Sequence, residues 1–149
     1  MTRYLSVEDI LYAHRTAIQR WGGTPGLRDA NALAAAVGRL ETGYYQDTIE
    51  EAAALFESLS QNHPFLDGNK RTAIACTVAF LRINGYETFF DDSEAFRFLS
   101  SLYEGGQVTK TSIETWLRAI CGEKTTEAND KINSKMLDDV AKSDKPEHL

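Results

Sequence analysis

In the stretch "HPFLDGNKRT", residues 63–72, a histidine, a carboxylate, a glycine, an amide and two cations crowd into a few positions. Imidazole titrates near neutral pH, so His63 suits the work of a general base, taking a hydroxyl proton as the oxygen bonds to phosphorus. Asp67 is a single carboxylate, the kind of ligand Mg²⁺ accepts when water and substrate phosphates supply the rest of its shell. Gly68 permits positive φ or close approach of the backbone to a ligand. With Asn69 it opens a helix whose N-terminal amides and dipole favour an anion. Lys70 and Arg71 add positive charge to that first turn, an unfavourable place for it unless an anion compensates. Asn69 supplies an uncharged amide to orient a phosphate or the loop itself. Phe65 anchors the loop in the core, and Pro64 stiffens it.

Taken singly, each residue has a plainer explanation: a helix-end histidine, an Asp-Gly turn, a solvated Lys-Arg pair. Together they supply a base, a metal ligand, an anion nest and countercharges, which points to chemistry on a bound polyphosphate. A Walker A loop is excluded, because no GxxxxGK[ST] occurs. Zinc is poorly served, since His14 and His148 are far off in sequence and no cysteine stands at ligand spacing from His63.

The elements that must position this loop are helices. Ser6 to Asp9 has the form of a capping box, and Ile10, Leu11, Ala13, His14 and Ile18 follow before "WGGTPG" stops the helix. "DANALAAAVGRL" predicts a second helix over 29–40, with Leu33, Ala36, Val37 and Leu40 on one stripe. Thr48 and Glu51 form another capping pattern, opening a helix that delivers the chain to His63. After the loop, "TAIACTVAFLRING" is apolar on nearly every side, as expected of a central buried helix, and Asn84-Gly85 ends it. "YETFF" suits a short strand, leaving room for one short β-hairpin. Ser93 is placed to cap a helix to Tyr103, and a last helix runs near Ser112 to Ile120. The fold class is all-α, a helical bundle.

A chain of 149 residues can bury a core without disulfides or a structural metal. We expect one domain over 1–122. Residues 123–149 lack aromatics and alternate in charge sign, which predicts a mobile tail, although Ile132, Met136 and Val140 stand at helical spacing. The net charge of −6, with no basic block, argues against nucleic acid as a direct partner. Cys76 and Cys121 form no CxxC and read as small buried hydrophobes in a reducing compartment. The absence of a long apolar run argues against a membrane span, and we expect a cytoplasmic protein.

The sequence "HPFLDGNKRTA" resembles the signature of the Fic/Doc superfamily, and specifically its death-on-curing (Doc) branch. The likeness extends upstream through "YLSVEDILYAHRTAIQRWGGTPGLRDANALAAAVGR" and downstream through "LRINGYETFFDD", covering most of residues 3–120. It implies an all-α Fic/Doc core and transfer of part of a nucleoside triphosphate onto a protein hydroxyl. It further implies His63 as base, Asp67 on Mg²⁺, Gly68 and Asn69 in the anion-binding loop, and Lys70 and Arg71 on phosphates.

Adenylylating relatives usually carry HxFx[DE]GNGRxxR; here Lys70 replaces the second loop glycine and Ile74 the final arginine. A lysine narrows the loop, and loss of the distal guanidinium removes a bidentate phosphate clamp. The NKR pattern is shared with Doc proteins, in which a flipped nucleotide presents its γ-phosphate. The resemblance therefore implies a Mg-dependent kinase toxin that phosphorylates a protein Ser/Thr hydroxyl with ATP, with elongation factor Tu as target and a small antitoxin as neutralising partner. Gly68 departs from this, standing where the kinase prototype of the branch has alanine. An adenylyltransferase and a non-catalytic binding module are the alternatives. "SSLYEG", residues 100–105, matches the letters of an inhibitory motif but reads more simply as a helix end.

Overall fold

The computed structural model describes residues 1–123; the tail stripe at Ile132, Met136 and Val140 lies outside the described residues. Six helices form in chain order: α1 (Val7–Trp21), α2 (Ala30–Leu40), α3 (Thr48–Gln61), α4 (Asn69–Ile83), α5 (Asp92–Glu104) and α6 (Lys110–Ile120). Strand β1 (Tyr86–Thr88) follows α4, and β2 (Cys121–Glu123) follows α6. The two pair antiparallel, Tyr86 opposite Glu123 and Thr88 opposite Cys121. The all-α expectation holds. The "YETFF" strand also forms, but its partner comes from the far side of two helices rather than from an adjacent turn.

Helices α3 and α4 make the centre. Helix α4 packs on α3, α1 and β1, while α3 also meets α2 and α6. The expected burial of α4 is observed: Thr72, Ala73, Ile74, Cys76, Thr77, Val78, Phe80 and Leu81 are all buried. Phe56, Leu55 and Leu59 of α3 and Ile113 and Leu117 of α6 fill the same core. Each such side chain stabilises the fold by about 1.5–3 kcal/mol through burial. Cys76 is buried, and burial pushes its thiol up to about 12; Cys121 rises to about 11 for the same reason. Neither is a reactive thiolate.

The Ser6 capping box forms as expected, with Asp9 as its reciprocal partner. Two other caps lie elsewhere than the sequence pattern suggests. Asp47, not Thr48, caps α3, accepting from Glu50 N–H at 2.9 Å. Glu51 is instead buried and accepts a 2.6 Å hydrogen bond from the Tyr4 hydroxyl, which ties the N-terminal segment to α3 and raises the Tyr4 pKa. Asp91, not Ser93, caps α5. In both helices an aspartate earlier in the chain is the better acceptor and takes the N-cap. Helix α6 begins at Lys110 behind a Thr109 cap, slightly before the expected start. Glu104 and Gly105 close α5, as the helix-end reading of "SSLYEG" requires.

Candidate active site

The loop between α3 and α4 starts with a backbone anomaly. His63 has φ +46°, the one positive φ at a non-glycine position among the described residues. Such a conformation costs on the order of 1–3 kcal/mol and persists only where its surroundings fix it. Here the surroundings are the segment 24–29. The Arg28 side chain donates to two carbonyls at the end of α3, from Nε to His63 O at 2.6 Å and from Nη2 to Asn62 O at 2.7 Å. The Arg28 and Asp29 amides both donate to Pro64 O, Leu27 forms a β-bridge with Phe65, and Leu66 N–H donates to Gly26 O. The His63 side chain is left exposed.

Phe65 is the largest fully buried side chain of the loop. It is 1% exposed, and its ring stacks on that of His14 with centroids 3.8 Å apart and planes within 4°. Asn69 holds its backbone from the other side: Oδ1 accepts from Phe65 N–H and Nδ2 donates to Phe65 O, both at 3.0 Å. Asn69 therefore orients the loop, the second of the two tasks its amide was suited for.

His14 also lies 2.8 Å from the Asp67 carbonyl through Nε2, an arrangement that a proton on Nε2 makes a donated hydrogen bond. Burial holds its pKa below the ordinary 6.5, against the pull of the Asp67 carbonyl and carboxylate. The unfolded chain takes up a proton near that ordinary value, whereas the folded one resists it. The stability His14 contributes is thus complete above pH 6.5 and is lost as pH falls through its lower folded pKa. We expect the urea midpoint to fall between roughly pH 7 and pH 5, and His14→Phe to flatten that part of the decline. An unchanged slope in the variant would contradict this role.

Asp67 points into the same loop, half-buried. Oδ1 accepts from Gly68 N–H at 2.8 Å and Oδ2 from Thr24 N–H at 3.1 Å. A Cβ added at Gly23 would meet Asp67 Oδ2 at 2.8 Å, so only glycine fits beside the carboxylate. Each oxygen keeps a lone pair beyond these single bonds. A carboxylate oriented in this way fits Mg²⁺ held through one protein ligand. Among the described residues no cluster of three or more His, Cys, Asp or Glu is placed to hold a metal ion.

Gly68 is the N-cap of α4 in the left-handed conformation, φ +76°, and provides no side-chain cap. The other five helices are each capped by a Ser, Thr or Asp side chain. The first-turn amides of α4 have no acceptor within the helix, and its dipole end is positive. Asp67 directly precedes this uncapped terminus, and the exposed His63 lies earlier in the same loop.

The two cations lie differently from what their residue types suggest. Lys70 Nζ sits over the Tyr103 ring, 4.4 Å from its centroid. Arg71 is 1% exposed, and its Nη2 donates to Gly22 O at 3.2 Å, just past the end of α1. Its Nη1 is buried without a hydrogen-bond partner among the described residues. Arg71 also lines a groove of about 500 Å³ between α1 and α4, together with Arg3, Tyr12, Ala13, Arg20 and Ala79. That groove does not include His63 or Asp67.

Sequence reasoning missed His14, Thr24, Arg28 and Tyr103 as neighbours of the site. Only "WGGTPG", with glycines and a proline close to an otherwise helical segment, carried a signal of close backbone approach.

The chain matches the Fic/DOC family over residues 4–81, just over half its length. It is 32% identical to "Protein kinase doc" of Escherichia phage P1 over 124 residues, 80% of this chain and 97% of that protein. It is 45% identical to "Toxin Doc" of Mycolicibacterium smegmatis (strain ATCC 700084 / mc(2)155) over 96 residues, 61% of this chain and 72% of that protein. The family match spans the loop from His63 to Arg71 together with the helices that carry it, so the chain belongs to the Fic/DOC family, on its Doc branch.

Proposed function

We propose that this protein is a Doc-type toxin that moves the γ-phosphate of ATP onto a Ser or Thr hydroxyl of a target protein, with elongation factor Tu the target that the family resemblance implies. The observation that carries the reading is the positive end of α4, which no side chain caps, with the oriented Asp67 carboxylate just before it and an exposed histidine earlier in the same loop. Phosphoryl transfer needs little else from a protein than positioning and charge stabilisation.

In this reading the amides of the first turn of α4 receive phosphate oxygens, and Gly68 keeps a side chain out of their way. His63 takes the proton of the attacking hydroxyl. Asp67 is the protein ligand for Mg²⁺, which supplies charge neutralisation at the phosphates when bound. Lys70 and Arg71 act on the phosphates through their field, with their side chains anchored on Tyr103 and Gly22 O. Phe65, His14 and Asn69 hold the loop in register.

The relative named as a protein kinase supports phosphoryl over nucleotidyl transfer. Lys70 and Ile74, at the positions where adenylylating relatives have Gly and Arg, favour the same side. The relatives named Doc also support a cognate antitoxin. The α1–α4 groove, lined largely by apolar side chains such as Leu5, Ala13, Ala75 and Ala79, is the candidate seat for a segment of such a partner.

Incubation with bacterial extract and ATP labelled at either the α- or the γ-phosphate tests the reaction. The γ-label is expected on a protein band and the α-label is not. Appearance of the α-label on protein would establish adenylylation in its place. Tight nucleotide binding with neither label transferred would point to a binding module.

A further inference from the structure

The strained conformation of His63 needs a cause, and the contacts around it name one. Arg28 reaches the end of α3 and takes two successive carbonyls, Asn62 O and His63 O, with the two arms of one guanidinium. These oxygens lie at the negative end of the α3 dipole, where acceptors lack helical partners. A planar fork holds two acceptors in fixed relation, which a single ammonium does not do. The Arg28 backbone is itself fixed to the loop it grips, because its amide donates to Pro64 O at 2.8 Å and Leu27 bridges Phe65. The peptide unit on each side of the His63 Cα is therefore tied down: Asn62 O and His63 O by the Arg28 side chain, Pro64 O by the Arg28 and Asp29 amides.

We propose that Arg28 is the positioning residue for His63, locking the base in its left-handed conformation so that the imidazole is presented to the hydroxyl beside the α4 terminus. This rests on the phosphoryl-transfer reading and extends it to a residue outside the loop. In this structure Arg28 reaches neither Asp67 nor the first turn of α4 through its side chain; its bonds go to Asn62 O and His63 O. Its loss should consequently slow the chemical step without weakening nucleotide binding.

The test compares Arg28→Ala, Arg28→Lys and His63→Ala with the wild type, using γ-labelled ATP and a fixed amount of bacterial extract. The readings are the rate at saturating ATP and the ATP concentration giving half that rate. Arg28→Ala is expected to lower the saturating rate by roughly 10- to 100-fold, the scale of a displacement of about 1 Å at a reacting group. The half-saturating ATP concentration should stay as in the wild type. Arg28→Lys should fall between the two, because it grips one carbonyl at a time.

Two outcomes overturn the proposal: a wild-type saturating rate in Arg28→Ala, or a change confined to the half-saturating concentration. If Arg28→Ala does not fold, Arg28→Lys is read alone, and a wild-type rate there overturns it equally. Loss of transfer in His63→Ala alongside normal Arg28 variants would leave the base assignment standing. Full transfer by His63→Ala would instead remove the reading on which the proposal rests.

Discussion

Replacing His63 with Ala should slow transfer of the γ-phosphate by about 10²- to 10⁴-fold, the range that a positioned general base contributes. The side chain is exposed, and its removal opens no cavity in the core. Arg28 binds the backbone carbonyl of this residue, not its ring, so the loop keeps its staple in the variant. The thermal midpoint should thus stay close to that of the wild type while labelling of the target disappears. In cells, the same substitution should relieve growth inhibition. Transfer at the wild-type rate would show that the proton goes elsewhere.

Phe65→Ala should act through the opposite route. The ring is 1% exposed and lies flat on His14, between the anchor to Asp67 and the core. Truncating a buried phenylalanine costs about 3–5 kcal/mol in stability, a large part of the total for a domain of this size. Urea unfolding should show that loss as a lower midpoint at an unchanged slope. Activity should fall as well, because the His14 imidazole loses the surface that aligns it toward the Asp67 carbonyl. Phe65→Leu, which refills much of the volume, should recover most of the stability. A midpoint near wild type in Phe65→Ala would mean that the loop does not depend on this anchor.

The sequence pattern was informative wherever a residue's task is set by its near neighbours. The all-round apolar run of α4, the Ser6 capping box and the Asn84 stop follow from spacing alone, and all three form. The loop residues from His63 to Asn69 could be grouped for the same reason. Local pattern misled at Asp47 and Asp91, where a stronger acceptor stood just before the expected cap. It had no access to β2, whose partner strand lies beyond α5 and α6.

The same limit applies to the site. His14 reaches Asp67 across 53 positions, and Arg28 reaches His63 across 35. No periodicity relates such pairs, which meet only because α1 and its following loop pack against the start of α4. Arg71 is instructive in another way. Its charge suggested a phosphate ligand, yet its side chain is buried and turned toward the end of α1, where a guanidinium satisfies a carbonyl past the helix terminus. Residue type gave the charge, and packing decided where its donors went.

The central claim is that polyphosphate binds at the uncapped start of α4, between His63 and Asp67. Backbone amide NMR of the protein, titrated with Mg²⁺ and a non-hydrolysable ATP analogue, tests this most directly. The account predicts the largest shifts at Gly68, Asn69, Lys70 and Arg71, a change in the His63 ring resonances, and weaker effects in Asp67→Asn. Saturable binding that leaves these four amides unmoved and shifts resonances of another surface would contradict it.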